Sequence, residues 1–435
     1  MRVAVVGAGI AGLGAAYALR RQHDVTLYEA ARQPGGHTHT VDVTLDGTTY
    51  PVDTGFLVYN ERTYPRLIQL FADLAIPTAK SDMSFGLSVR CASGNPLEWA
   101  GTSLDTVFAQ RRNLFSPRFL AMLRDLLRFN RHATRIALSD DAADATSLGE
   151  FLALHRYGES FQHWYLLPMA AAIWSCPIAT MLDYPIATFA RFCHNHGLLQ
   201  VSGRPQWFTV HGGARQYVTK ICDSLSDVRV DDPVSAVTRD SGSRQVIVES
   251  RGGTDCYDQV VLACHSDQSL LMLKDADHDE RSIIGEVRYQ PNRAWLHTDL
   301  RLMPESRKVW SSWNYLSEGE DDAAGPAVSV TYLLNKLQPL PFRTPLLLSL
   351  NPRSEPRAAM TIAQIEYSHP IFDRRAIAAQ RGLPRIQGRR QVWFAGAWTG
   401  YGFHEDGLKS GLAAAAAIGR VSAVPAQSSS GASVY

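Results

Sequence analysis

The chain has 435 residues, 45% of them hydrophobic and 20% charged, with a formal net charge of +1. That length predicts two domains around separate or interleaved cores, and the near-neutral balance gives no global electrostatic case for nucleic acid. No uninterrupted apolar run reaches the roughly eighteen residues that a membrane-spanning helix needs.

Arg2 to Val6 is a short β-branched run suited to a buried parallel strand. Gly7, Gly9 and Gly12 follow at G-x-G-x-x-G spacing. Gly7 permits a tight turn, Gly9 removes the Cβ that would block a pyrophosphate, and Gly12 lets helix and strand pack closely. A helix is predicted from about Ala11 to Arg20, its first amides at Ile10 and Ala11 facing the phosphates. The second strand, Asp24 to Glu29, ends in an acid where adenosine ribose hydroxyls lie, which favours FAD or NAD over NADP. Beyond it, Ala30, Arg32, Gly35, Gly36, His37 and Thr38 form a loop whose paired glycines allow close approach to a ligand and whose arginine can reach a phosphate or ribose. With the first strand at Arg2, no leader is expected.

Asp42–Leu45 and Thr48–Val52 alternate like a hairpin around Asp46-Gly47. A glycine-containing loop, Asp53 to Asn60, and a helix from Thr63 to Leu74 come next. From about Lys80 the pattern turns mostly helical. Ser116-Pro117 is an N-cap with proline at the first helical position, and Ser147 and Glu150 have capping-box spacing. Seven arginines and one acid, Asp125, lie between Arg111 and Arg135, interleaved with Leu and Phe, a pattern a basic amphipathic helix can use on anionic lipid. Strands are expected at Trp207–Val210, Val228–Val230, Val234–Arg239, Gln245–Ser250 and Tyr257–Ala263. A second mixed region holds strands at 294–299, 309–315, 327–333 and 346–350. The six cysteines (91, 176, 193, 222, 256 and 264) show neither C-x-x-C nor metal-ligand spacing, so free thiols in a reducing compartment are expected.

The last ordered unit runs from the strand Gln391–Gly396 through a glycine-rich loop into a small-residue helix, Gly407 to Val421. Amides near Gly407 and Leu408 at the start of that helix would face negative charge on a reduced flavin, with Gly396 and Ser410 beside them. His404 and Glu405 sit in this loop and are the first candidates for proton transfer. His265 and, for an apolar substrate channel, Trp174, Trp207, Tyr315 and Tyr332 are further candidates. No metal cluster or nucleophilic triad stands out.

The stretches Gly7–Glu29, Arg32–Gly36, Val210–Gly213, Val260–Ala263 and Phe394–Gly411 resemble the flavin-containing amine oxidase superfamily, which includes phytoene-desaturase-like and protoporphyrinogen-oxidase-like enzymes. More narrowly, Gly35–Thr40, Val52–Asn60 and Gly400–Gly407 are similar to bacterial NAD/FAD-binding proteins that resemble the oxidase-like N-terminal part of plant cyclopropane fatty acid synthases. The resemblance implies an α/β fold with a Rossmann-like FAD-binding domain of glutathione-reductase and amine-oxidase type and an interleaved α+β substrate domain. The expected boundaries are 1–80, 205–285 and 386–423 for the FAD domain, 81–204 and 286–385 for the substrate domain, and a disordered tail at 424–435.

Three departures weigh against simple amine oxidation. The family commonly has a glutamate where this chain has Ala397, an arginine where it has His37, and a lysine bridged through water to flavin N5, for which Lys308 is the nearest candidate. The expected function is therefore FAD-dependent oxidation or desaturation of an apolar, fatty-acyl or other lipid substrate. Peroxide-forming amine oxidation and a non-catalytic FAD-binding partner of a lipid methyltransferase stay open. The partners expected are a lipid or apolar small molecule and no nucleic acid, with peripheral membrane contact and a lipid-modifying methyltransferase left open. The expected location is the cytoplasm, with the inner membrane face open.

Overall fold

The computed structural model describes residues 1–90, 95–139, 146–240, 242–317 and 329–423. The expected tail at 424–435, Cys91 and the first two residues of the strand expected at 327–333 lie outside these. The chain divides into two compact units. The first takes Met1–Gly36, Val218–Gly285 and the chain from Gly382; the second takes His37–Tyr217 and Glu286–Arg381. The boundaries differ from those expected at residues 80 and 205. The hairpin Thr40–Leu45 with Thr48–Asp53, and the small sheet in which Tyr59–Asn60 and Thr78–Ser81 flank Trp207–Val210, cluster with the second unit instead. Long-range bonds hold them there: the Asp53 amide donates to Gln338 Oε1 and the Gln338 amide to Asp53 O, both at 2.9 Å.

The first unit is built on a parallel five-stranded sheet in the order Asp227–Arg229, Asp24–Tyr28, Arg2–Val6, Gln259–Leu262, Val392–Phe394. Val3, Val5, Leu27, Val260 and Val261 are buried, as expected of a parallel sheet covered on both faces. The helix Ile10–Leu19 follows the first strand, and the C-terminal helix, His404–Ala423, packs along it. A separate antiparallel sheet joins Val234–Arg239, Val246–Ser250 and Gly253–Tyr257. The run expected as three successive strands after residue 228 is thus split between two sheets.

The second unit is organised by a seven-stranded sheet in the order Thr361–Ile371, Arg288–His297, Leu347–Leu350, Val330–Leu333, Trp313–Ser317, Phe85–Arg90, Pro96–Ala100. The last two strands lie in the stretch expected to be mostly helical. Their partner is distant in sequence: Phe85 pairs with Trp313 in a parallel ladder, which local periodicity cannot reveal. Helices cover part of the sheet. The helix Pro117–Leu138 begins at Ser116, whose side chain accepts from the Phe119 amide, and Ser147 and Glu150 form the expected capping box. The segment 162–166 is a π-helical turn before the helix Leu167–Trp174. Pro168 has no N–H to offer Trp164, and the Trp164 carbonyl instead accepts the Trp99 indole N–H at 3.2 Å. No helix among the described residues is long and apolar enough to cross a membrane.

Candidate functional site

In the first unit the three fingerprint glycines do different work. Gly7, at φ +101°, donates its amide to Tyr28 O at 2.8 Å, and a Cβ there would press within 3.1 Å of the Ala263 carbonyl. A Cβ on Gly12 would stand 1.8 Å from Gly7 O, so only glycine lets the helix leave the turn this closely. A Cβ on Gly9 would meet nothing within 4 Å. That opening lies at the N-cap of the helix Ile10–Leu19, whose first turn holds no acid. The helix's own ladder begins with Leu13 N donating to Gly9 O at 2.9 Å, which leaves the amides of Ile10, Ala11 and Gly12 before it. These amides, the positive helix end and the opening at Gly9 suit a diphosphate.

Glu29 directly follows the second strand, its carboxylate accepting from the Ala8 amide at 2.8 Å and the Ala31 amide at 2.9 Å. The acid is thereby fixed against the glycine turn, a position that suits ribose hydroxyls. Gly35 donates to Ala8 O at 2.9 Å, and a Cβ on Gly36 (φ +57°) would approach Gly9 Cα at 3.2 Å. Paired glycines are thus what bring this loop over the fingerprint. Ala30 and Arg32 are exposed beside it.

The C-terminal loop joins the fingerprint through the two helices. A Cβ on Gly411 would lie 2.0 Å from Ala11 O, one on Gly14 2.5 Å from Leu408 Cδ1, and one on Gly407 2.8 Å from Ile10 Cγ2. Ser410 Oγ accepts from the Gly396 amide at 2.8 Å and donates to Gly407 O at 2.7 Å, fastening loop to helix. The helix starts at His404, three residues before the expected Gly407. Gly407 N therefore donates to Phe403 O at 3.1 Å inside the helix, and Leu408 is fully buried against Gly14. The expectation that these two amides face a ligand is corrected: the helix's opening turn is His404, Glu405 and Asp406.

His404 is partly buried, and desolvation pulls its imidazole down to about 3. It is a neutral hydrogen-bonding group at neutral pH and a weak base. Glu405 is buried beside it. Asp406 caps the turn by accepting from Phe403 N at 3.0 Å, and burial pushes its carboxyl up to about 6. Because the folded pKa of His404 lies below the ordinary 6.5, its neutral form stabilises the fold above that pH, and the contribution is lost as pH falls toward 3. At about pH 5 the loss is about 2 kcal/mol. Urea unfolding at neutral pH and at about pH 5 should therefore show His404→Gln gaining about that much on the parent protein as pH drops. Parallel stability curves for the two proteins would refute the neutral buried assignment.

His37 and Thr38, expected at the cofactor, belong to the second unit. Thr38 Oγ1 is hydrogen-bonded to the Tyr217 hydroxyl. The His37 ring stacks on Tyr367 and lies beside His369, with both centroid separations 5.2 Å. The Tyr367 hydroxyl meets Thr54 Oγ1 at 2.9 Å, which meets His39 Nδ1 at 2.8 Å, and Asn292 Nδ2 donates to His369 Nδ1 at 2.8 Å. The loop after the hairpin fixes this cluster: Phe56 N donates to His37 O at 2.7 Å, and a Cβ on Gly55 would lie 2.1 Å from that oxygen. Asp53 anchors the loop by accepting from Thr40 Oγ1 at 2.6 Å and from Ala214 N at 2.9 Å. Burial pushes the Asp53 carboxyl up to about 6. Tyr367, His369 and Asn292 escaped sequence reasoning. Their one signal was the alternation of 361–367, which places Tyr367 on a face but names no partner.

Of the residues considered for an apolar channel, Tyr315 and Tyr332 share one face of the seven-stranded sheet with Trp313, whose ring meets Tyr332 edge-on at 4.8 Å. Register carries that face on through Leu87, Leu348 and Ile365. Trp174 instead packs among Tyr184, Phe189 and Phe192, and Trp207 against His196, so both serve cores. His265 precedes the helix Ser266–Met272 in the first unit, partly buried. Lys308 is exposed and paired with Asp105 at 2.7 Å. The other lysines, 80, 220, 274, 336 and 409, are exposed too.

A helix N-terminus beside an open glycine, with an acid just after the second strand and a glycine-packed C-terminal helix, suits a dinucleotide. The profile of the family described as flavin containing amine oxidoreductase matches residues 10–345. The chain belongs to that family. These oxidoreductases depend on FAD, and the site described above fits its adenosine diphosphate half through Gly9, the amides of Ile10 and Ala11, and Glu29. Among relatives of this chain is the Mycobacterium tuberculosis protein named as putative flavin-containing monoamine oxidase AofH, 29% identical over 230 residues, 49% of this chain and 46% of the relative. Another is the carotenoid phi-ring synthase of Streptomyces griseus, 28% identical over 330 residues, 68% of this chain and 59% of the relative. The chain thus spans about half the length of the curated relatives it matches. A fatty acid isomerase from P. acnes that produces CLA shares the fold, with a TM-score of 0.65 at 16% identity over 96% of this chain and 98% of that one.

Proposed function

We propose that this oxidoreductase oxidises or desaturates a long apolar substrate, a fatty-acyl chain or related lipid. The observation that carries the reading is the apolar and aromatic face of the seven-stranded sheet, where Trp313, Tyr315, Tyr332, Leu348 and Ile365 stand in one register. Such an apolar face suits an acyl chain, and the peroxide assay below separates this reading from an ammonium held by the same aromatic rings. The exposed lysines support the same reading, since a lysine working beside N5 would be enclosed. The carotenoid synthase and the fatty acid isomerase, by their names, act on apolar chains.

Bound FAD supplies a hydride acceptor at N5. The chain would hold its diphosphate at the amides after Gly9 and its ribose at Glu29. The substrate loses a proton as well as a hydride, and a base must take it. His404, held neutral and weakly basic, would donate or accept a hydrogen bond, leaving Glu405 as the stronger candidate for the proton. Mass spectrometry of total lipids from cells with and without the protein should show acyl chains shifted by loss of two hydrogens or by a downstream product of that change. An unchanged lipid profile would overturn the lipid assignment. Peroxide release on adding amines would favour amine oxidation instead, and a lipid methyltransferase co-purifying with flavin-loaded but inactive protein would favour the partner role.

A further inference from the structure

The helix Pro117–Leu138 buries Phe119, Met122, Phe129 and Ala133 against the second unit. Its outward face is not the charged strip that solvent favours. Leu120, Arg124, Leu127, Arg131, Arg135 and Leu138 follow at spacings of four, three, four, four and three, which places all six within one outward sector of an α-helix. The leucines are 44%, 50% and 69% exposed. Immediately before the helix, Phe115 in the turn Arg111–Phe115 is 86% exposed.

Asp125 is the sole acid between Arg111 and Leu138; it is buried, accepts from the Gly158 amide at 3.0 Å and stands 3.6 Å from the Arg124 and Arg128 guanidinium groups, which leaves Arg131 and Arg135 clear of it. The outward sector therefore presents positive charge interleaved with apolar side chains, on a chain whose net charge is only +1. We propose that this face docks on an anionic phospholipid bilayer, with the arginines at the headgroups and Phe115, Leu120, Leu127 and Leu138 inserted at the acyl boundary. An acidic protein or a nucleic acid would pair with the arginines but would leave the three leucines and the phenylalanine without an apolar environment. Interfacial lipid takes both kinds of side chain at once. Docking there deepens the acyl reading, because it would bring the protein to where acyl chains are, though the surface itself stands on its own residues.

The test is co-sedimentation of the flavin-loaded protein with vesicles of phosphatidylglycerol and phosphatidylcholine in equal parts, against vesicles of phosphatidylcholine alone. The protein should pellet with the anionic vesicles only, and added salt should release part of it. Arg124→Glu, Arg131→Glu and Arg135→Glu together should weaken partitioning at least about a hundredfold, each arginine being worth about a factor of five near such a surface. Phe115→Ser with Leu127→Ser should weaken it while keeping the salt dependence. All these positions are exposed, so flavin content and circular dichroism should stay at the parent's values. Equal binding to neutral vesicles, parent-like binding by the triple arginine variant, or preferential capture of RNA by the parent would each overturn the proposal. Turnover of detergent-dispersed acyl substrate is read separately. Its loss with vesicle binding intact would count against the acyl reading alone, and vesicle failure with turnover intact against the surface alone.

Discussion

Gly9→Val should yield a folded, colourless protein. The backbone at Gly9 sits at φ −71° and ψ 177°, a conformation valine adopts readily, and a Cβ there touches no protein atom. Folding should therefore change by no more than about 0.5 kcal/mol. The added carbons instead occupy the space before the amides of Ile10 and Ala11, where a diphosphate must come to accept its hydrogen bonds. Losing two charge-assisted bonds, at about 1.5–3 kcal/mol each, weakens FAD by about a hundredfold to ten-thousandfold. Flavin absorbance per mole of purified protein and a fluorescence titration of the stripped protein measure this. A Gly9→Val protein that purifies yellow with full flavin would show that the diphosphate does not lie at this helix end.

The second large effect is at the seam between the helices Ile10–Leu19 and His404–Ala423. Gly411→Ala puts a methyl group 2.0 Å from Ala11 O and 2.9 Å from Ala11 C, both backbone atoms that cannot rotate away. The helices must separate, at a cost of about 3 kcal/mol, which overwhelms the roughly 1 kcal/mol that alanine gains over glycine inside a helix. The contrast lies within one helix. At Gly419 an added Cβ meets nothing within 4 Å, so Gly419→Ala keeps the propensity gain and should stabilise by about 0.5–1 kcal/mol. Denaturant unfolding of the two variants should move in opposite directions. Because the same seam carries the diphosphate-binding turn, Gly411→Ala should also lower flavin content. Two variants of equal stability would mean that the helices are not in backbone contact.

Much of the nucleotide site was legible because its signals are local. Strand, glycine turn, helix and terminal acid all lie within 30 residues, and Gly12 acts on Gly7 O only a few positions away. The C-terminal loop was legible as a glycine-rich element, but its register was not. Gly407 suggested a helix start, whereas the turn begins at His404 and buries Gly407 against Ile10, a contact almost 400 residues distant in sequence that no local pattern encodes.

The second unit was the least legible. Phe85–Arg90 and Pro96–Ala100 are short strands whose stability comes from pairing with Trp313–Ser317, and Thr361–Ile371 gains its place from Arg288–His297. Local propensity gives way to tertiary pairing in such strands. The domain boundary failed for the same reason. The stretch from His37 to Lys80 continues directly from the fingerprint in sequence, yet Asp53 is bound to Gln338 and Thr54 to Tyr367. The candidate proton carriers were named by position alone, and it is desolvation of the imidazole that makes His404 a neutral, weak base.

The most direct test is an anaerobic titration of the flavin-loaded protein, followed by absorbance, with free fatty acids and phospholipids in one arm and putrescine and aromatic amines in the other. Bleaching of the oxidised flavin band by an acyl lipid, with no bleaching by amines, is the expected result. Bleaching by amines with none by any lipid would contradict the account.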